Sequence, residues 1–298
     1  MKVLIDTLRF LASTIPVIAL ASFMVSYSIN KGVLERISSK IEPMLSKLNL
    51  DQVTVASVAV CFISPTAAYS MLSQALRENK IDEKEVIAAS FLNSFPATFS
   101  HIYSFFIPFV IPILGWAGVL YTALRLVVAI VKSAIGFILA LKWRDRRDVV
   151  KRKIVHRRVD PLKSTWKTIK RITPIMAATY LAVSVLSAYG FFERFKEIFK
   201  FLPFDPNVIA ISAVEFVNVR AAVVLAAGML EKGILAPKWV VVGLILGNVI
   251  TLSTRFVKHS LPLHLSLFGR LGVKIVVLNA LVTLVLDFIV IILIILFL

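Results

Sequence analysis

Thirty residues in the middle of the chain, Lys142 to Arg171, hold 13 Lys or Arg and only three acids, Asp145, Asp148 and Asp160. They supply most of the formal net charge of +17, and the sequence on either side is overwhelmingly apolar. A charged bridge between two apolar halves leaves few folds open. In membrane proteins Lys and Arg concentrate in short cytoplasmic loops, because they resist translocation and are drawn to anionic headgroups. The stretch reads as a cytoplasmic linker with a membrane unit on each side, dividing the chain into residues 1–141, 142–171 and 172–298.

With 58% hydrophobic residues and a mean hydropathy of +0.87, the chain has too little polar surface to cover its apolar runs as a soluble domain. The expected class is an all-α, polytopic membrane protein with broken transmembrane helices in the cell membrane. A pI near 10 raises nucleic acid as a partner. The basic residues, however, sit in loops beside apolar spans without interleaved aromatics, so none is expected. Cys61 is the single cysteine, which leaves no intrachain disulfide and no cysteine-based metal cluster. No P-loop, HExxH, GxSxG or GxGxxG occurs, and His101, His156, His259 and His264 have no metal-ligand spacing. Neither an enzyme nor a metal or cofactor protein is expected. Val3 to Ile29 is long enough for a span and has a counterpart after the linker, so it reads as a retained helix rather than a signal peptide.

The two halves resemble each other. At a shift of 154 residues Ala59-Val60-x-Phe62 falls on Ala213-Val214-x-Phe216, Pro108 on Pro262, and Gly115-x-x-Gly118-Val119 on Gly269-x-x-Gly272-Val273. Upstream the shift is 158, pairing Pro16 with Pro174 and Gly32-x-x-Glu35-Arg36 with Gly190-x-x-Glu193-Arg194. Matching prolines, glycines and loop lengths point to an internal duplication.

Each copy then has five pieces. A long span comes first, followed by an amphipathic stretch (Ile37, Ile41, Leu45 and Leu48, or Phe195, Ile198, Phe199 and Leu202) suited to the headgroup layer. A third piece, Asp51–Leu76 or Val208–Leu230, is long enough to cross but interrupted midway. The fourth, Val86–Tyr103 or Val240–Val257, is also interrupted. A segment of about ten residues, Phe105–Leu114 or Leu261–Phe268, leads into the last span. At 1.5 Å per residue that short segment cannot cross a core of about 30 Å. It extends the fourth piece, forms half of a re-entrant hairpin, or joins its neighbours into a bent span. An odd number of crossings per copy inverts the second copy, an even number keeps it parallel, and the loop charges favour inversion.

Broken helices are tolerated in hydrocarbon only where they are buried in protein or line a wet cavity. The third pieces break at Ser64-Pro65-Thr66 and at Glu215-Phe216-Val217-Asn218-Val219-Arg220; the fourth break at Asn93-Ser94-Phe95-Pro96 and Gly247-Asn248. Paired interruptions in two repeats point to a transporter's central site. The candidate substrate-binding residues are therefore Ser64, Thr66, Asn93, Ser94, Glu215, Asn218, Arg220 and Asn248. Glu215 and Arg220 either approach each other across the break as a structural ion pair or face a cavity. Arg125, Lys132 and Asp287 interrupt the last spans, and Lys132 aligns with Leu286, which suggests a Lys132–Asp287 pair between the copies; snorkelling of Arg125 and Lys132 is the alternative.

Cys61-Phe62-Ile63-Ser64-Pro65-Thr66-Ala67-Ala68, a charged turn, Asn93-Ser94-Phe95-Pro96 and the aromatic run His101 to Phe106 together resemble the Gate, or nucleoside-recognition, domain. That family includes the spore maturation proteins A and B and the gate regions of ferrous iron transport protein B. The resemblance covers about residues 51–114 and, more loosely, 206–268. Cys61 to Pro65 lacks the glycines of the iron transporter's break and the sequence carries no GTP-binding motif, so iron specificity is not implied. What the resemblance implies is a duplicated, membrane-embedded permeation or recognition domain. The expected function is movement of a small polar or anionic solute, nucleoside-like or an ion, by alternating access. A non-transporting membrane scaffold, whose basic linker recruits a cytoplasmic or lipid ligand, is the alternative. Expected partners are the solute and membrane lipids, with a homo-oligomer left open.

Overall fold

The computed structural model describes residues 2–32, 36–37, 39–40, 50, 52–143, 160–191, 194, 205–255 and 260–298. The amphipathic stretches and the middle of the basic linker, residues 144–159, lie largely outside the described residues. Everything regular in the described chain is helical. In order come α1 (Lys2–Asn30), α2 (Gln52–Cys61), α3 (Pro65–Arg77), α4 (Glu83–Leu92), α5 (Ser94–His101), a π-helical stretch (Ile102–Val110), α6 (Ile111–Leu114) and α7 (Trp116–Lys142). The second half has α8 (Pro161–Ala188), α9 (Asn207–Val217), α10 (Val219–Glu231), α11 (Pro237–Arg255), α12 (Leu261–Phe268) and α13 (Arg270–Phe297). Among the described residues, five segments are long and apolar enough to cross a membrane: Val3–Met24, Glu83–Leu114, Trp116–Lys142, Pro161–Ala188 and Arg270–Phe297.

The short segment Phe105–Leu114 extends the fourth piece. Pro108 removes one backbone donor, and the wider π-helical turns around it carry the chain on instead of ending the helix. The reversal comes at Gly115, whose φ of 56° suits a residue without Cβ. Three residues later Gly118 lies against the Val110 carbonyl, so α7 folds back tightly on the preceding helix. Gly269 (φ 57°) and Gly272, against the His264 carbonyl, repeat both features.

The third pieces differ from the expected crossing. Ser64 is extended (φ −152°, ψ 104°) and caps α3 by accepting from the Ala67 amide at 3.2 Å, with Pro65 in the first turn, where its missing N–H costs nothing. Asn218 is extended in the same way (φ −156°, ψ 113°) and caps α10 through bonds from Arg220 N and Ala221 N, at 2.9 and 3.2 Å. Packing shows that the chain reverses there. Ser212 donates to the Gly243 carbonyl at 3.0 Å and Glu215 lies against Gly247, so α9 and α11 advance together and run parallel. Since α10 joins α11 through a short turn, α9 and α10 form a hairpin. In the first half Val53 clusters with Val86 and Ile87 while Cys61 donates to the Asn93 carbonyl, giving the same order. Helices of 10 to 13 residues reach roughly 15–20 Å, short of a core of about 30 Å. A hydropathy profile cannot distinguish such a hairpin from one interrupted span.

The long helices pack in antiparallel pairs across the two halves. Phe10 stacks on Tyr180 at 4.1 Å and Ser26 donates to Ser164 at 3.2 Å, so α1 and α8 run in opposite directions. Arg125 meets Asp287 and Lys132 meets Thr283, so α7 and α13 do too. Outward faces carry Leu4, Leu8, Val127, Ile130, Leu281, Val285 and Ile292, whereas Asn93, Glu215, Asn248 and Asp287 are buried. An apolar exterior around a polar interior suits hydrocarbon as the surrounding solvent.

Candidate functional site

A cavity of about 230 Å³ opens where the break between α4 and α5 faces the other half. Asn93, Ser94, Ala97 and Thr98 form one wall, and Tyr69 of the first hairpin adds its ring. Arg125, Val128, Ala129 and Lys132 of α7 form a second wall, and Ile275, Val276, Asn279 and Thr283 of α13 the third, with Ser260 and His264 at one end. Among the described residues no carboxylate lines it. Tyr69 and His264 meet edge to face at 4.5 Å, joining the hairpin of one half to the last helices of the other.

The charges are held by a network across the interface. Asp287, wholly buried, accepts from Arg125 Nη1 and from Asn248 Nδ2, each at 2.6 Å. The expected Lys132–Asp287 pair is not formed. Lys132 Nζ donates instead to Thr283 Oγ1 at 2.9 Å and lies 6.0 Å from the Phe91 ring centre. The ion pairs among the described residues are Arg125–Asp287 and Lys80–Glu78, so Lys132 makes no contact ion pair within them and feels Asp287 only through space.

Two asparagines are fixed by serines. Ser57 spends its proton on the Thr54 carbonyl (2.8 Å), so it can only accept from Asn93 Nδ2, at 3.4 Å. Ser90 spends its proton on the Ile87 carbonyl (2.7 Å) and accepts from Asn279 Nδ2 at 3.0 Å; that same nitrogen also reaches the Ile275 carbonyl at 3.1 Å. This pattern assigns both amide orientations, as the hydrogen-bond network must. It leaves Asn93 Oδ1 buried with no protein partner.

The eight candidate residues separate accordingly. Asn93 and Ser94 line the cavity, and Asn248 reaches its edge indirectly, through Asp287 to Arg125. Ser64 and Asn218 act as helix caps, and Thr66 is exposed with its carbonyl accepting from Ser70. Glu215 and Arg220 do not pair: Glu215 is buried against Gly247, and Arg220 lies 5.9 and 6.0 Å from the ring centres of Phe105 and Phe109. Near His264 in the sequence, Lys258 and His259 lie outside the described residues, as does the Arg255 side chain. Sequence reading passed over Asn279 and Thr283. The rule that singled out Arg125, Lys132 and Asp287, a polar side chain inside an apolar span, applies equally to them.

These features define a multi-pass helical membrane protein with a polar cavity between its halves. The Gate family, described as nucleoside recognition, matches residues 11–117, which include the first hairpin and the Asn93–Thr98 wall. The uncharacterized protein MJ0871 of Methanocaldococcus jannaschii is 46% identical over 275 residues, 89% of this chain and 87% of the relative. A second uncharacterized protein of that organism, MJ0880, is 26% identical over 306 residues, 98% and 99% of the two chains. No solved structure matches. Residues 11–117 thus match a family associated with membrane transport, and the chain as a whole belongs to one family with MJ0871.

Proposed function

We propose that the protein moves a small polar or anionic solute across the cell membrane by alternating access between two inverted copies of one unit. The carrying observation is the cavity itself. It lies at a helix break, is lined by Arg125, Lys132, Asn93 and Asn279, and is walled by both halves.

Several features support inversion. The extended caps Ser64 and Asn218, the positive-φ turns Asn79 and Gly233, and the reversals Gly115 and Gly269 all recur at one spacing of 154 residues. Aligned helices (α1 with α8, α7 with α13) pack antiparallel, as a two-fold axis in the membrane plane requires. With hairpins that turn back, the first copy has three crossings, and the second has three when α11 and α12 are counted together as one; an odd number inverts the copies, and the basic linker holds their adjoining ends in the cytoplasm. The break expected at Gly247-Asn248 is not formed: α11 runs unbroken through both residues, Glu215 fills the space beside Gly247, and Asn248 is tied to Asp287, so the counterpart position is packed shut. One vestibule open and its counterpart closed is what one state of an alternating-access cycle looks like.

The test uses a Cys61→Ser background with Ser94→Cys or Thr98→Cys, in sealed proteoliposomes. Water-soluble thiol reagents should modify both positions, and a saturating solute should slow the reaction. If both thiols stay unreactive, the cavity is dry and the scaffold reading replaces transport.

A further inference from the structure

The cavity's unused hydrogen-bonding groups state what its solute must carry. Asn93 Oδ1 is a buried acceptor without a protein donor. Both Asn279 Nδ2 contacts are made within the protein, which leaves its carbonyl oxygen as the group the cavity can use. Thr283 donates to the Asn279 backbone carbonyl at 2.7 Å, so toward Lys132 it can only accept, and it occupies one of three ammonium N–H groups. The site therefore offers two amide acceptors from opposite halves and an ammonium with donors to spare.

Charge sharpens this. Arg125 and Lys132 share one nearby carboxylate, Asp287, which pairs directly with Arg125 alone, so among the described residues this group carries one positive charge in excess. An isolated charge at membrane depth is costly, and a bound anion removes that cost. An anion with no proton to donate would satisfy Lys132 and leave both amide oxygens dry and unpaired. A neutral donor would do the reverse, and an ammonium group would be repelled by the excess charge.

We infer that the solute is a small monoanion that also donates hydrogen bonds, in chemical class a hydroxycarboxylate. Its carboxylate docks on Lys132 and its hydroxyl reaches Asn93 Oδ1 or Asn279 Oδ1, so that one molecule bridges the two halves. The inference rests on the transport reading and names the solute class for that same cavity.

The experiment measures ligand-dependent thermal stabilisation of the purified full chain, with glycolate, lactate and glycerate set against propionate, alanine and uridine. Lactate should bind at least about tenfold more tightly than propionate, which has the same carbon chain without the hydroxyl. Lys132→Met should weaken both. Asn93→Leu and Asn279→Leu should abolish the preference for lactate while leaving propionate binding in place. Where a leucine variant elutes as aggregate, Asn93→Asp and Asn279→Asp keep the shape and the acceptor but add negative charge, and should weaken every carboxylate. Equal binding of lactate and propionate, lactate binding that survives Lys132→Met, or protection by alanine or uridine instead would overturn the inference. Absence of any shift would overturn it as well. Reactivity of Ser94→Cys in the same preparation distinguishes these failures from failure of the transport reading, since a reactive thiol keeps the wet cavity and an unreactive one removes both.

Discussion

Replacing Asp287 by Asn removes one charge from the interface while changing little else. The amide is nearly isosteric with the carboxylate and still offers one oxygen, so the bond from Asn248 Nδ2, now 2.6 Å, can persist. Arg125 loses the carboxylate that it touches at 2.6 Å. Breaking a buried pair by removing one partner costs about 3–5 kcal/mol, because the remaining charge is left uncompensated. Arg125's side chain retains 19% exposure, toward the cavity, so water screens part of the loss and the low end, about 3 kcal/mol, is expected. Reversible unfolding in mixed micelles measures it, as a cycle with Arg125→Leu and Asp287→Leu. The double variant should recover most of the loss, since it leaves neither charge unpaired. A loss below about 1 kcal/mol for Asp287→Asn, with no coupling in the cycle, would mean that the pair does not join the halves and that the network is wrong.

Other expectations are simpler. Gly272→Ala forces a methyl group into the His264 backbone, where no flexible side chain can yield, and should cost at least about 1–3 kcal/mol by the same unfolding assay. Ser64→Ala and Asn218→Ala each remove a helix cap and should cost about 0.5–2 kcal/mol, with the Ser94→Cys reactivity unchanged because neither side chain lines the cavity. Tyr180→Ala should cost about 3–5 kcal/mol, since it empties a fully buried site stacked on Phe10 and removes the bond to Glu231 at 2.8 Å.

Much of this architecture is legible in the residues. Long apolar runs announce the spans, Ser64-Pro65 and Asn218 announce breaks, and Gly115-x-x-Gly118 with its counterpart marks a turn followed by a close approach. What the chain does at a break is another matter. The run through Ser64 has the same hydropathy whether it crosses or folds back, and only contacts such as Ser212–Gly243 decide. The mispaired Lys132 has a geometric cause. Aligning the copies set Lys132 beside Asp287, but in helices that pack antiparallel, aligned positions coincide only near the crossing point. Asp287 therefore meets Arg125, earlier along α7, and Lys132 meets Thr283. Asn93 was legible as a break residue. Its orientation was not, because it depends on where Ser57 sends one proton.

The most direct measurement concerns the side of the membrane on which the two hairpin-to-helix turns lie. Lys84 and Ala236 are exposed beside the corresponding turns, and each can be made the single cysteine in a Cys61→Ser background. In sealed cells an impermeant thiol reagent should label one position from outside, with the other labelled only after permeabilisation. Labelling of both from the same side would contradict the inverted arrangement, and with it the alternating-access account built on it.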